Sequence, residues 1–145
     1  MFFYFCYGNL FIIIMKFFYI LFLFSLPLVF SAQSLQLIDT VKAPLVYENV
    51  FVKSIASDSL ACSYIIFVKK EVKKHKHVFH TEHIYVLEGE GELLLGDKIM
   101  NIKKGDIIFI PKNTVHALKT TSSVPVKIIS IQAPYFDGKD RVFIE

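Results

Sequence analysis

The amino-acid sequence predicts an all-β domain, a sandwich or barrel of short strands. Three observations carry that reading. β-Branched and aromatic runs recur at intervals of about 8–12 residues, the spacing of such folds. Glycine, proline, asparagine and aspartate punctuate them. Beyond an apolar leader, no stretch holds a 3.6-residue apolar period, so long helices are not expected. The 145 residues leave room for one domain, and a hydrophobic content of 54% supplies a core.

Residues 1–32 read as the leader. "MFFYFCYGNLFIII" carries no charge. "MKFFYILFLFSLPLVFSAQS" then begins at Met15 and sets Lys16 before an apolar run over residues 17–26. Pro27 breaks the run, and the small residues Ser31 and Ala32 follow. A charged start, an apolar centre and a small-residue end are the layout of a secretory signal peptide. Translation is therefore expected to start at Met15, with cleavage near Ala32–Gln33 and export to the periplasm or the medium. The alternative is an uncleaved anchor, because residues 10–30 are long enough to span a bilayer. Pro27 and the small residues after it favour cleavage. Cys6 would leave with the leader, and Cys62 would then have no intrachain partner. The fold must rest on its core, or on its core and a metal.

After the leader, residues 33–47 read as an arm or a first edge strand, residues 48–133 as the domain, and residues 134–145 as a tail packing on it. Within the domain "NVFVKSIA" alternates and "SD" breaks it. "LACSYIIFV" is a longer apolar run. "HIYVLEGEGELLLGDKIMNIKKGDIIFIPKNT" shows three strands and their turns, Gly-Glu-Gly, Gly-Asp and Lys-Gly-Asp, then "IIFI" and Pro-Lys-Asn. The Gly-Glu-Gly element is expected to be a tight turn, Gly96-Asp97 a hairpin turn, and residues 107–110 core. "VHALKTT" and "PVKIISIQA" complete the set. The tail ends in another alternating segment, "RVFIE", placed either to close the sheet or to cover an open end of the barrel.

The net charge is +3, and the only basic cluster is "KKEVKKHK", residues 69–76. Lysines of this kind shield a strand edge. The run has neither the arginines nor the interleaved aromatics of a nucleic-acid surface, so no nucleic-acid partner is expected.

Chemistry concentrates in "HKHVFHTEH", residues 75–83, which holds four of the five histidines and Glu82. His75 and His77 are two apart, so on a strand both imidazoles face one side. Glu82 follows across a bend at Val78–Phe79. His116, the fifth histidine, would have to return on a neighbouring strand. Three imidazoles and a carboxylate suit one divalent first-row ion, Mn, Fe, Co, Ni or Zn, and water in the other positions would leave the site open. Read alone, a His-x-His beside lysines is equally a surface polar patch.

The two histidine segments resemble the two motifs of the cupin superfamily. The first family motif runs Gly, five residues, His-x-His, three or four residues, Glu, six residues, Gly. Here His75-Lys76-His77 is followed by four residues, Glu82, six residues and Gly89. The second runs Gly, five residues, Pro-x-Gly, two residues, His, three residues, Asn. Here Gly105 precedes "DIIFI", Pro111-Lys112-Asn113, two residues and His116, with fifteen residues between Gly89 and Gly105. Three positions depart from the pattern. Lys69 stands for the opening Gly, Asn113 for the Gly of the second motif, and Thr120 for its Asn. Asn tolerates the left-handed backbone that Gly would supply. The resemblance covers residues 48–133. It implies a cupin double-stranded β-helix, a jelly-roll barrel, with His75, His77, Glu82 and His116 at the four metal-ligand positions.

With Glu82 inward, alternation turns His83, Tyr85 and Leu87 outward. His80 falls in the bend, either donating to a ligand or, as favoured here, at the mouth of the pocket. An apolar outer sheet face marks an oligomer contact, and small cupins are commonly dimers, so a homodimer is expected. The expected partner is a small-molecule ligand or substrate, with a membrane involved only through an uncleaved leader. The fold hosts metal-dependent enzymes, dioxygenases and isomerases among them, and non-catalytic ligand-binding modules, so both classes stay open. No second acid or base inside the barrel is identifiable. No arginine stands out for a carboxylate substrate, since Arg141, the only one, lies in the tail, and Tyr64 reads as a core residue rather than one lining the pocket.

Overall fold

Alternation along ten short strands decides which side chains turn inward. A computed structural model describes residues 35–145. The leader, with Met15 and the expected cleavage point, lies outside them. All elements fall within the unit Leu37–Glu145. The strands are β1 (Val50–Ser57), β2 (Cys62–Val68), β3 (Glu71–Lys76), β4 (Thr81–Glu88), β5 (Glu90–Leu95), β6 (Lys98–Lys103), β7 (Ile107–Ile110), β8 (His116–Thr120), β9 (Val126–Ala133) and β10 (Val142–Phe143). A single 3-10 turn, Ile38–Thr40, is the one helical element among the described residues.

The strands form two five-stranded antiparallel sheets, ordered β1-β2-β9-β4-β7 and β10-β3-β8-β5-β6. This is the two-layer double-stranded β-helix. Between the sheets pack Val68, Ile84, Val86, Leu93, Ile102, Ile108, Ile110, Leu118, Val126 and Ile128. Each such side chain contributes about 1.5–3 kcal/mol through its removal from water. The expected core at β7 is only half right. Ile108 and Ile110 point in, whereas Ile107 and Phe109 face out, because the run alternates on the pleat.

The chain changes sheets at Gly89, between β4 and β5, so the Gly-Glu-Gly element is a crossing rather than a hairpin tip. Gly89 has φ +80°, and a Cβ there would sit 2.8 Å from the Pro125 carbonyl oxygen. Both facts exclude a side chain. Gly96-Asp97 does turn the β5–β6 hairpin, with Gly96 at φ +59°.

The segment before β1 is an arm, not a strand. Its Val41 buries against Ile65 and Phe67 on the outer side of the first sheet. Two lysines fasten it: Lys127 Nζ donates to the Ile38 carbonyl at 2.9 Å, and Lys69 Nζ to that of Tyr47 at 2.7 Å. The tail closes the second sheet. Val142 and Phe143 pair with Lys76 and His75, which lays the C-terminal residues along β3.

Candidate metal centre

The site assembles where β3, β4 and β8 meet the returning tail. β3 carries a bulge. Val72 pairs with Leu118 and His75 with His116, so Lys73 and Lys74 together oppose Ala117. The extra residue keeps Val72 and His75 both inward, and it frees the Lys73 carbonyl to accept from His75 Nδ1 at 2.8 Å. His77 follows on the same face. His116 opens β8 directly opposite His75. The turn before it holds Asn113 at φ +60°, the left-handed conformation expected there, and the Asn113 N–H donates to the His77 carbonyl at 2.6 Å. Glu82 lies at the start of β4 and points inward beside them.

All four side chains are buried. One ring nitrogen from each of His75, His77 and His116 lies within 4.8 Å of the others. Glu82 Oε2 is 3.5 Å from Nε2 of both His77 and His116. Each imidazole is oriented from behind. His75 Nδ1 faces the Lys73 carbonyl, His77 Nδ1 that of Asp140, and His116 Nδ1 that of Thr114 at 3.0 Å. A carbonyl only accepts, so each ring carries its proton on Nδ1 and turns Nε2 to the centre. Nε2 of His77 and of His116 is buried with no hydrogen-bond partner. Leaving such an atom unsatisfied costs about 1–3 kcal/mol. A bare imidazole nitrogen is also the form that binds a metal. This donor set fits a divalent transition ion, and the buried His75/His77/His116 triad has the geometry to hold one.

The electrostatics favour the metal-binding form at His75 and Glu82, whereas without an ion the Glu82 carboxylate draws a proton towards His77. Burial, and after it the neighbouring His116, push His75 down to about 4, so it is neutral at pH 7. Burial opposes protonation of His77 too, but the Glu82 carboxylate and the Asp140 carbonyl outweigh it and raise His77. For Glu82 burial favours the neutral acid. His116, His77 and the Ser130 hydroxyl, which donates to Oε1, overcome it and hold the carboxyl well below the usual range.

Three residues of the arrangement escaped the sequence reading. Asp140 is the first. Its carboxylate accepts from the backbone N–H of Val78 at 2.9 Å, from that of Phe79 at 2.7 Å, and from His80 Nδ1 at 2.5 Å. It thus pins the bend between His77 and Glu82 while its carbonyl orients His77. Burial raises its pKa less than His80 and the two N–H groups lower it, and the carboxyl stands at about 2. Ser130 and Gln132 on β9 are the other two. Polar residues two apart in "IISIQA", the apolar stretch after Lys127, were the available signal.

His80, read as a support for the ligands or a residue of the pocket mouth, lies behind the bend. It is buried, its Nε2 faces the Tyr135 carbonyl at 3.0 Å, and with Asp140 it binds the tail. His83 faces outward and stacks on Phe109 at 4.8 Å between centroids. Tyr64 is half-buried and donates to the Phe136 carbonyl at 3.0 Å. A cavity of about 260 Å³ runs from His75, Glu82 and His116 between the sheets, past Ile84, Leu93, Leu118 and Ile128, to Val50 on β1 and Glu71 on β3. Arg141 lines it, which corrects the sequence reading: the β10 pairing carries the tail arginine back to the ligands.

A two-sheet double-stranded β-helix with a buried histidine triad at one end of its interior defines a class of small-molecule and metal-binding barrels. Comparison with known proteins narrows that class. Residues 65–132 match the family described as the cupin domain. An uncharacterized protein of Aquifex aeolicus is 39% identical over 82 residues, 57% of this chain and 67% of that one. The chain belongs to the cupin family. Its relatives include an enzyme, the quercetin 2,3-dioxygenase of Bacillus subtilis, 32% identical over 66 residues, 43% of this chain and 20% of that one. Among solved structures, an uncharacterized conserved protein with a double-stranded β-helix domain from Klebsiella pneumoniae superposes with a TM-score of 0.67. It is 19% identical, covering 79% of this chain and 99% of that one. The matched stretch spans about two thirds of the first relatives' length and a fifth of the dioxygenase.

Proposed function

We propose that this cupin holds one divalent transition metal ion (Mn, Fe, Co, Ni or Zn) on His75, His77, Glu82 and His116, and that it is a metal-dependent enzyme, dioxygenase- or isomerase-like, acting on a small polar molecule admitted to the cavity. The observation that carries this is the pair of buried, unpartnered Nε2 atoms on His77 and His116 facing the Glu82 carboxylate. When bound, such an ion supplies Lewis acidity or a redox centre. The protein's own part is fourfold. The three backbone carbonyls aim the imidazoles, Ser130 holds Glu82 ionised, the Asp140 clamp fixes the bend, and the apolar walls exclude water. The dioxygenase among the relatives supports the enzyme class. A second reading, a non-catalytic binding module, draws on the apolar wall of Ile66, Val72, Ile84, Leu93 and Ile128, which seats a ligand without offering a proton-transfer group.

Elemental analysis of the purified chain tests the metal, and O₂ uptake with a panel of small organic acids, sugars and thiols separates the classes. His116→Ala should lose most of the metal, and unchanged occupancy would defeat the assignment. Two further readings belong here. Export rests on the leader's layout, and intact mass of exported protein beginning upstream of Ser25 would defeat it. A homodimer is supported by the exposed cluster of Tyr85, Ile107, Phe109 and Ile131 on adjoining strands. Sedimentation showing only monomer at high micromolar concentration would count against it.

A further inference from the structure

The cavity holds two polar groups that the metal reading leaves unused. The first is Gln132. It is 2% exposed, pairs across the strands with Glu82, lines the cavity, and its Oε1 has no hydrogen-bond partner. A buried acceptor without a donor is costly, and it marks where a ligand's O–H or N–H would sit. The second is Arg141. The chain reaches it directly after the Asp140 carbonyl that holds His77, and Phe143, two residues on, pairs with His75. Its side chain is exposed at the rim of the cavity, which it helps to line, and has no side-chain hydrogen-bond or ion-pair partner among the described residues.

The other charges of the lining leave Arg141 uncompensated. Glu82 is committed to the histidines and Ser130. Glu71 and Lys73, one of each sign and both exposed, add no net charge to the β3 wall. A divalent ion adds positive charge. Away from these groups the wall is aliphatic apart from Asn49, whose amide is bonded to the Lys70–Glu71 backbone, with Phe143 near the histidines. The ligand chemistry that answers all three features is an anionic head, a donor close to it, and an apolar body.

We infer that the cavity takes a small carboxylate with an apolar body and a hydroxyl or N–H donor beside the carboxylate, Arg141 binding the carboxylate and Gln132 Oε1 accepting the donor. The guanidinium fork matches a carboxylate in two parallel hydrogen bonds. The inference rests on the metal-site reading and assigns the substrate class of that site.

Titration calorimetry on the manganese-loaded full chain tests it with three probes: mandelate, its neutral amide mandelamide, and phenylacetate, which lacks the hydroxyl. Mandelate should bind about tenfold or more tightly than mandelamide, the size of a partly exposed charge-assisted contact. Arg141→Gln should collapse that ratio while manganese content, read by elemental analysis, stays unchanged. Gln132→Leu should keep the ratio and erase the advantage of mandelate over phenylacetate. Binding by none of the probes, equal binding of mandelate and mandelamide, or a preference that survives Arg141→Gln overturns the inference. An advantage over phenylacetate that persists in Gln132→Leu overturns the role of Gln132. A wild-type chain that takes up no metal is a separate result, because it defeats the metal-site reading first.

Discussion

The two ends of the interior obey opposite rules. At one end Val86, Ile102, Ile108 and Val126 fill the space between the sheets, away from the cavity, and have no polar demand to meet. At the other, His75, His77, Glu82, His116 and Gln132 are as deeply buried, yet Nε2 of two histidines and Oε1 of the glutamine are unsatisfied. Burial therefore stabilises the first end outright. The second end gains from burial only when something enters to meet its bare atoms. The same barrel thus combines a saturated core with a buried site whose polar atoms are left unmatched.

Truncation at the apolar end should have the largest effect on folding. Ile102→Ala is expected to cost about 2–5 kcal/mol, the transfer loss plus the cavity it leaves. Chemical denaturation should give the same loss with metal and without it, and full metal occupancy below the unfolding transition. A loss confined to the metal-loaded protein would mean that the two ends are not independent.

Metal removal should act only at the polar end. At free metal about a thousandfold above its dissociation constant, binding adds about 4 kcal/mol to the stability of the native state. A chelator should therefore lower the melting temperature of the wild type and leave that of His116→Ala unchanged. Equal sensitivity of the two proteins would place the metal elsewhere.

These contrasts follow how much of the molecule was legible in the sequence. Motif spacing located His75, His77, Glu82 and His116, because ligand positions recur at fixed distances along strands and turns. The left-handed Asn113 was legible for the same local reason. The bulge at Lys73–Lys74 was not, since a bulge exists only relative to the partner strand. Asp140 and Arg141 were hidden by sequence distance. They lie more than fifty residues from the first motif, and only the pairing of β10 with β3 brings them to the site. Ser130 and Gln132 showed as polar breaks in an apolar run, but alternation alone does not say which face of β9 is inside. In physical terms, local periodicity and turn chemistry were readable, and register was not.

The Asp140 clamp separates the two ends further, because it supports the polar end without lining it. Asp140→Asn keeps the backbone carbonyl that holds His77 but loses the charge facing Val78, Phe79 and His80. The expected cost is about 1–2 kcal/mol at neutral pH, and about tenfold in metal affinity through the displaced bend. The pH dependence gives the sharper test. The folded carboxyl stands at about 2, below its ordinary value of 3.8. Its contribution is therefore fully present above the unfolded value and disappears as pH falls through the folded one. In chelated protein, the stability difference between wild type and Asp140→Asn should be widest at pH 5 and shrink steadily as pH falls from 4 to 2. Other carboxyls titrate in both proteins and cancel in the difference. Urea unfolding across that range reads it directly. A gap that stays constant would show that Asp140 acts through packing rather than charge, and the bend would then need another explanation for its rigidity.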